Sequence, residues 1–241
     1  MNHNLKNSNE PEKDSEVLNA ISRDRIRTNL LRNPEQKAIA FLVQRIPAWI
    51  SSNMLTAIGF SGNVIVFLGF ILASFFGRNY LLLGILGFAI SWFGDSLDGR
   101  IAYFRKKSRK WYGFILDISF DWIGIVLIGC GTIVYVEGPW ELLGYGFIVM
   151  YGWEIIIALM RYKITGNYSI DSGIFGPTEV RIIISAILVA EVLRPDSFVY
   201  SVALICIILL VSDITDTRKL LKAADEMDTK EKERKLHEEN K

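Results

Sequence analysis

Six apolar stretches separated by short polar loops run along this 241-residue chain, at 55–76, 80–96, 113–136, 141–161, 178–193 and 197–212. Most reach the about 17–25 residues that a helix needs to cross a bilayer, and the shortest nearly do. The pattern predicts an all-α integral membrane protein with six transmembrane helices. Ahead of them, residues 35–50 (EQKAIAFLVQRIPAWI) place apolar positions at helical spacing around Lys37 and Arg45. This predicts an N-terminal interfacial amphipathic helix, ended or kinked near Pro47. Small residues recur inside the spans, at Gly59, Ser61 and Gly62, at Gly84 and Gly87, and at Gly124, Gly129 and Gly131. They read as helix-packing surfaces.

The organisation follows: a polar N-terminal tail at 1–33, a six-span body at 34–216, and a charged helix or tail at 217–241. The first 30 residues hold no apolar core of a signal peptide. Loop charge predicts the orientation. The loop after the second span carries Arg100, Arg105, Lys106, Lys107, Arg109 and Lys110, and the loop after the fourth carries Arg161, Lys163 and, at its end, Arg181. The opposite hairpins carry Arg78, no base, and Arg194 with Asp196. Positive loops stay inside, so both termini and the basic loops are expected on the cytoplasmic face of a multi-pass protein.

Composition narrows the chemistry. The two cysteines, Cys130 and Cys206, lie in apolar runs without metal-ligand spacing and read as buried hydrophobes. Both histidines, His3 and His237, lie in the terminal segments. A general base therefore has to be a carboxylate or another residue type. No nucleic-acid partner is expected; the lipid bilayer is.

The acids supply the candidate site. Residues 94–121 read GDSLDGRIAYFRKKSRKWYGFILDISFD and hold Asp95, Asp98, Asp117 and Asp121. Three-residue and four-residue spacings each put a pair on one helix face. A short connection suggests that the two helices are antiparallel neighbours, so that all four carboxylates converge. Acids at a membrane boundary need a cation or a partner, and carboxylate oxygens suit two Mg2+ or Mn2+ ions clamping a phosphoryl group. Gly99 and Gly113, lacking Cβ, would let a phosphate or base approach the backbone. Glu154, inside the fourth span, is an intramembrane acid that reads equally as functional or structural. Asp213 and Asp216, followed by Arg218 and Lys219, read as a solvated helix exit.

This segment resembles the signature of the CDP-alcohol phosphatidyltransferases: Asp, two residues, Asp-Gly, two residues, Ala-Arg, then Gly, three residues, Asp, three residues, Asp. Here it runs Asp95, Asp98-Gly99, Ala102, then Gly113, Asp117 and Asp121. Tyr103 replaces the Arg, and Arg105 is a candidate to supply the lost charge. The resemblance implies a membrane-lipid synthesis enzyme that moves a substituted phosphate from a CDP-linked donor to an acceptor hydroxyl, with CMP released. Asp95, Asp98 and Asp117 would be metal ligands, and Asp121 a ligand, the general base, or both. Asp98, Gly99, Ala102, Arg105 and Gly113 would meet the nucleotide. Ser52-Asn53-Met54-Leu55-Thr56 is similar to a Pro-Asn-x-x-Thr element of the family, which adds Asn53 and Thr56 as cytidine contacts. Arg161, Lys163 and Arg181 would hold a phosphorylated acceptor. Gly176-Pro177-Thr178-Glu179 is similar to an element of the choline and ethanolamine phosphotransferases, which implies as the alternative a diacylglycerol or ceramide acceptor and makes Glu179 a headgroup candidate. Relatives commonly form homodimers, which the resemblance carries over as an expectation. An intramembrane prenyltransferase would place its acidic motifs far apart in sequence, and a divalent-cation transporter would place acids mid-span in several helices; both fit less well.

Overall fold

A computed structural model describes residues 32–165 and 177–239. The described residues form seven α-helices: α1 (Arg32–Val43), α2 (Ser52–Phe76), α3 (Leu83–Phe104), α4 (Lys110–Tyr135), α5 (Leu142–Thr165), α6 (Pro177–Leu193) and α7 (Ser197–Glu239). Short 3-10 turns at Arg78–Leu82 and Gly138–Glu141 lead into α3 and α5. The chain is an all-α membrane protein. Five helices are long and apolar enough to cross a bilayer. The sixth expected span, α6, has 17 residues and carries Glu179, Arg181 and Glu191. Its length, about 25 Å at 1.5 Å per residue, falls short of a hydrocarbon core of about 30 Å.

Two other expectations shift. The amphipathic helix ends at Val43 rather than continuing to residue 50, and residues 44–51 form the connector to α2. Ile39 and Val43 are covered by protein, clustering with Leu55, Leu97 and Ile101. The last span and the charged segment after it are one unbroken 43-residue helix, α7. Of the predicted tail at 1–33, residues 1–31 lie outside the described residues, as does Gly176.

α2 is the hub. It packs extensively along both α3 and α4, whereas α3 and α4 scarcely touch. The expected antiparallel pair is therefore corrected: the two acid-bearing helices flank α2 instead of packing on each other. Glycines explain the choice. A Cβ on Gly62 would overlap the Gly87 carbonyl and Ser91 backbone, and one on Gly94 would overlap Gly59. Without Cβ atoms the backbones of α2 and α3 close to contact, as in small-residue membrane interfaces. Gly129 likewise faces Gly144 and Ile148 of α5, and Gly84 faces Leu188 of α6. Ser61, predicted with the packing residues, is exposed and bonds back to Ile58 O. Beyond α4, α5 and α7 pair closely, and α6 bridges α3 to α7.

Candidate metal centre

Because α3 and α4 stand apart, a cleft opens between them. α2 forms its floor through Thr56, Gly59, Phe60 and Asn63, the acids of α3 and α4 form its walls, and Arg181 of α6 reaches in. Asp95, Asp117 and Asp121 each present a carboxylate oxygen, all within 4.8 Å of one another. The spacing within each helix aims the pairs inward, and the α2 floor sets the distance across.

Asp98 lines the same cleft but stands outside that trio. Its Oδ2 accepts a 2.7 Å hydrogen bond from the Thr56 hydroxyl, and its Oδ1 accepts from the Gly99 N–H. Arg181 Nη2 donates to Asp95 Oδ2 at 2.7 Å, both side chains being largely buried. Three carboxylates drawn together, with one guanidinium offsetting part of their charge, are costly in a low-dielectric setting. Hard oxygen donors at this separation fit a divalent cation, so the chemistry of the donor set suits Mg2+ or Mn2+.

The glycines divide into two kinds. Gly59, Gly62, Gly87 and Gly94 of α2 and α3 meet backbone. Gly99 and Gly113 meet nothing: a Cβ at either would have no heavy atom within 4 Å. Packing does not demand glycine at these two positions, and each leaves an open approach beside the acids. Ala102 lies between them in sequence, on the last turn of α3.

One turn before Thr56 on α2, Asn53 Oδ1 accepts from Arg109 Nη2 at 2.9 Å, and Asn53 faces the Tyr112 hydroxyl at 3.5 Å. Arg105, a predicted phosphate contact, is held by the α1–α2 connector. Its guanidinium donates to the carbonyls of Ile46, Pro47 and Ile50. Those oxygens lie in the α1–α2 connector, where no helix satisfies them, so Arg105 acts as a clamp on that loop.

The remaining predicted residues scatter. Arg161 pairs with Asp216 at 2.9 Å, and Lys219 pairs with the other oxygen of that carboxylate at 2.9 Å. Lys163 is exposed. Glu179 is buried and does not line the cleft; its neighbour Thr178 donates to Glu35 of α1 at 3.1 Å. The solvated-exit reading of Asp213 and Asp216 is overturned. Asp213 is fully buried and Asp216 nearly so. Neither Asp213 oxygen nor Glu154 Oε2 has a hydrogen-bond partner among the described residues. Glu154 belongs to an α5–α7 seam apart from the metal centre. Asn63 and Phe120 line the cleft without having been singled out. An amide inside an apolar span was a readable signal for the first.

The CDP-alcohol phosphatidyltransferase family matches residues 49–215, well over half of the chain, and the match takes in all four aspartates and the whole cleft. A comparison with curated proteins finds no match. A helical membrane body, three converging carboxylates, two unpacked glycines and this match agree: the chain belongs to the CDP-alcohol phosphatidyltransferase family.

Proposed function

We propose that the protein transfers a phosphatidyl group from CDP-diacylglycerol to a hydroxyl of a water-soluble, anionic alcohol, releasing CMP at the cytoplasmic face of the membrane. The observation that carries this is the convergence of Asp95, Asp117 and Asp121, with ligand oxygens within 4.8 Å. Asp98, in the same cleft, completes the set for two ions. Bound Mg2+ or Mn2+ would neutralise the diphosphate and stabilise the charge that develops on the leaving CMP.

The chain's own groups do the rest. Asn53 and Thr56 stand on the first turn of α2, where they would orient the cytidine. Gly99 and Gly113 leave room for the diphosphate. Asp121 takes the proton of the acceptor hydroxyl. The freed oxygen bonds to the β-phosphorus, and the bond from that phosphorus to the bridging oxygen of CMP breaks. Asp121 is half-buried and lines the cleft beside the other acids and Phe120.

Arg181 favours an anionic acceptor, since its guanidinium lines the cleft beside Asp95. The burial of Glu179 away from the cleft speaks against a cationic choline-type headgroup there. Arg161 and Lys163 then serve the basic cytoplasmic loop. The partners in this reading are the CDP-linked donor, the bilayer and a second copy of the chain.

A substrate panel tests the reading. Purified protein with Mg2+ or Mn2+ would receive CDP-diacylglycerol with soluble alcohols, phosphorylated and not, or CDP-choline with diacylglycerol. Acceptor-dependent CMP release from CDP-diacylglycerol, abolished by EDTA, is expected. Release only from CDP-choline would move the assignment to the other branch, and no CMP from any pair would overturn it.

A further inference from the structure

We infer that Arg109 is a donor-binding residue that contacts the diphosphate of the CDP-linked substrate, held in place by Asn53 and Tyr112. This rests on the proposed use of a CDP-linked donor. The motif position that carries Arg in the family is Tyr103 here, so the chain needs a cation from elsewhere at the nucleotide end of the cleft. Most neighbouring guanidinium groups are engaged. Arg105 is spread over the connector carbonyls. Arg100 donates back to Ser96 O at 2.9 Å. Arg181 stands on Asp95.

Arg109 differs in being tied to Asn53, one helical turn before Thr56 of the cleft floor. One of its nitrogens donates to Asn53 Oδ1 at 2.9 Å, and its guanidinium carbon lies 3.9 Å from the centre of the Tyr112 ring. Stacking on an aromatic face and one hydrogen bond fix the plane of the guanidinium while leaving other N–H donors for a ligand. Both Tyr112 and Arg109 are exposed, so the pair is open to a ligand. Gly113, next to Tyr112, leaves the adjoining backbone uncovered. Arg109 also opens α4 without a side-chain cap over the first turn, and the positive end of that helix dipole adds to the attraction for an anion. Thr56, one turn on from Asn53 in α2, donates to Asp98, so a single helical turn separates the residue that holds Arg109 from the one that holds an acid of the cleft. A cation fixed there suits a diphosphate that runs from the base toward the metal centre.

The test is equilibrium binding of CDP and of CMP, each with Mg2+, to wild-type protein and Arg109→Gln in lipid nanodiscs. The wild type should prefer CDP, and Arg109→Gln should weaken CDP about tenfold, as for loss of a charge-assisted bond, so that the preference for CDP over CMP collapses. Arg109→Lys should recover part of it. The same variant should raise KM for the donor with kcat nearly kept. Thermal unfolding and Mn2+ binding serve as fold controls for Arg109→Gln. If they are disturbed, the CDP-to-CMP ratio of Tyr112→Leu decides, with a halved or smaller preference expected because the guanidinium loses its platform. An unchanged ratio in the well-folded variant overturns the inference while leaving the proposed function intact. Failure of the wild type to bind CDP at all overturns both.

Discussion

Arg181 of α6 donates to Asp95 of α3 across 2.7 Å, which fastens the short sixth helix to the acidic cluster. The contact sets a competition. A cation bound by Asp95 and the Arg181 guanidinium draw on the same carboxylate. Arg181→Gln should therefore leave Mn2+ binding as tight as in the wild type or tighter. CMP release with an anionic acceptor should still fall by about tenfold or more, the scale of one lost charge-assisted bond. Mn2+ titration alongside steady-state kinetics checks both halves. Weakened Mn2+ binding would mean that Arg181 supports the site rather than competes in it. Arg181→Lys should rescue poorly, because an ammonium does not reproduce the planar fork.

The two kinds of glycine give opposite outcomes. Gly94→Ala should destabilise the fold, since the added methyl meets the Gly59 backbone, which cannot swing aside. Gly99→Ala should fold as well as the wild type or gain up to about 1 kcal/mol from helix propensity, because nothing lies near its Cβ. The same Gly99→Ala should lose donor turnover by at least about tenfold, if a tight phosphate approach is worth one ordinary bond. Thermal unfolding in detergent and CMP release separate the pair; a fully active Gly99→Ala would show that the open face has no substrate against it.

Much of this arrangement was legible beforehand, and the exceptions share a cause. Apolar runs mark the helices because lipid selects length and composition locally. The aspartate spacing marks the cleft because a helix fixes which residues share a face. Which helices touch is not local. α3 and α4 look adjacent from their short connection, but the glycine faces of α2 outcompete that pairing. Asp213 and Asp216 read as solvated beside Arg218 and Lys219, yet both are buried, and Asp216 pairs with Arg161 of α5. Arg105 looked free for a phosphate until the path of residues 46–50 put carbonyls around it. Each miss concerns a partner distant in sequence.

The α5–α7 seam makes a stability prediction. Asp213 is buried with no hydrogen-bond partner among the described residues, while Asp216 holds Arg161 and Lys219. Asp213→Asn replaces a buried, unpartnered carboxyl with a neutral amide, so the unfolding temperature should stay level or rise. Asp216→Asn removes the ion pair with the half-buried Arg161 and should cost about 1–3 kcal/mol, less than for a wholly buried pair because Arg161 keeps some solvent. A drop for Asp213→Asn larger than for Asp216→Asn would reverse this reading of the seam.

The connector between α3 and α4 stores a small, removable strain. Lys106 has φ of 56°, and the N–H groups of Lys106 and Lys107 close back on the Tyr103 and Ala102 carbonyls at 2.9 Å each. That pattern ends a helix most cheaply with glycine at the left-handed position. Lys106→Gly should raise stability by about 1 kcal/mol, read as a higher unfolding temperature with CMP release unchanged. A lower one would mean that the Lys106 side chain contributes more than its backbone costs.

Mn2+ titration followed by electron paramagnetic resonance tests the central claim most directly, because it reads the aspartate cluster without relying on any substrate. The wild type should bind two Mn2+ ions whose signals couple, as for ions about 3.5–4 Å apart, and Asp117→Asn should lose at least one ion and the coupling. A wild type that binds no Mn2+, or an Asp117→Asn that binds and couples as the wild type does, would contradict the claim that these carboxylates form the catalytic metal centre.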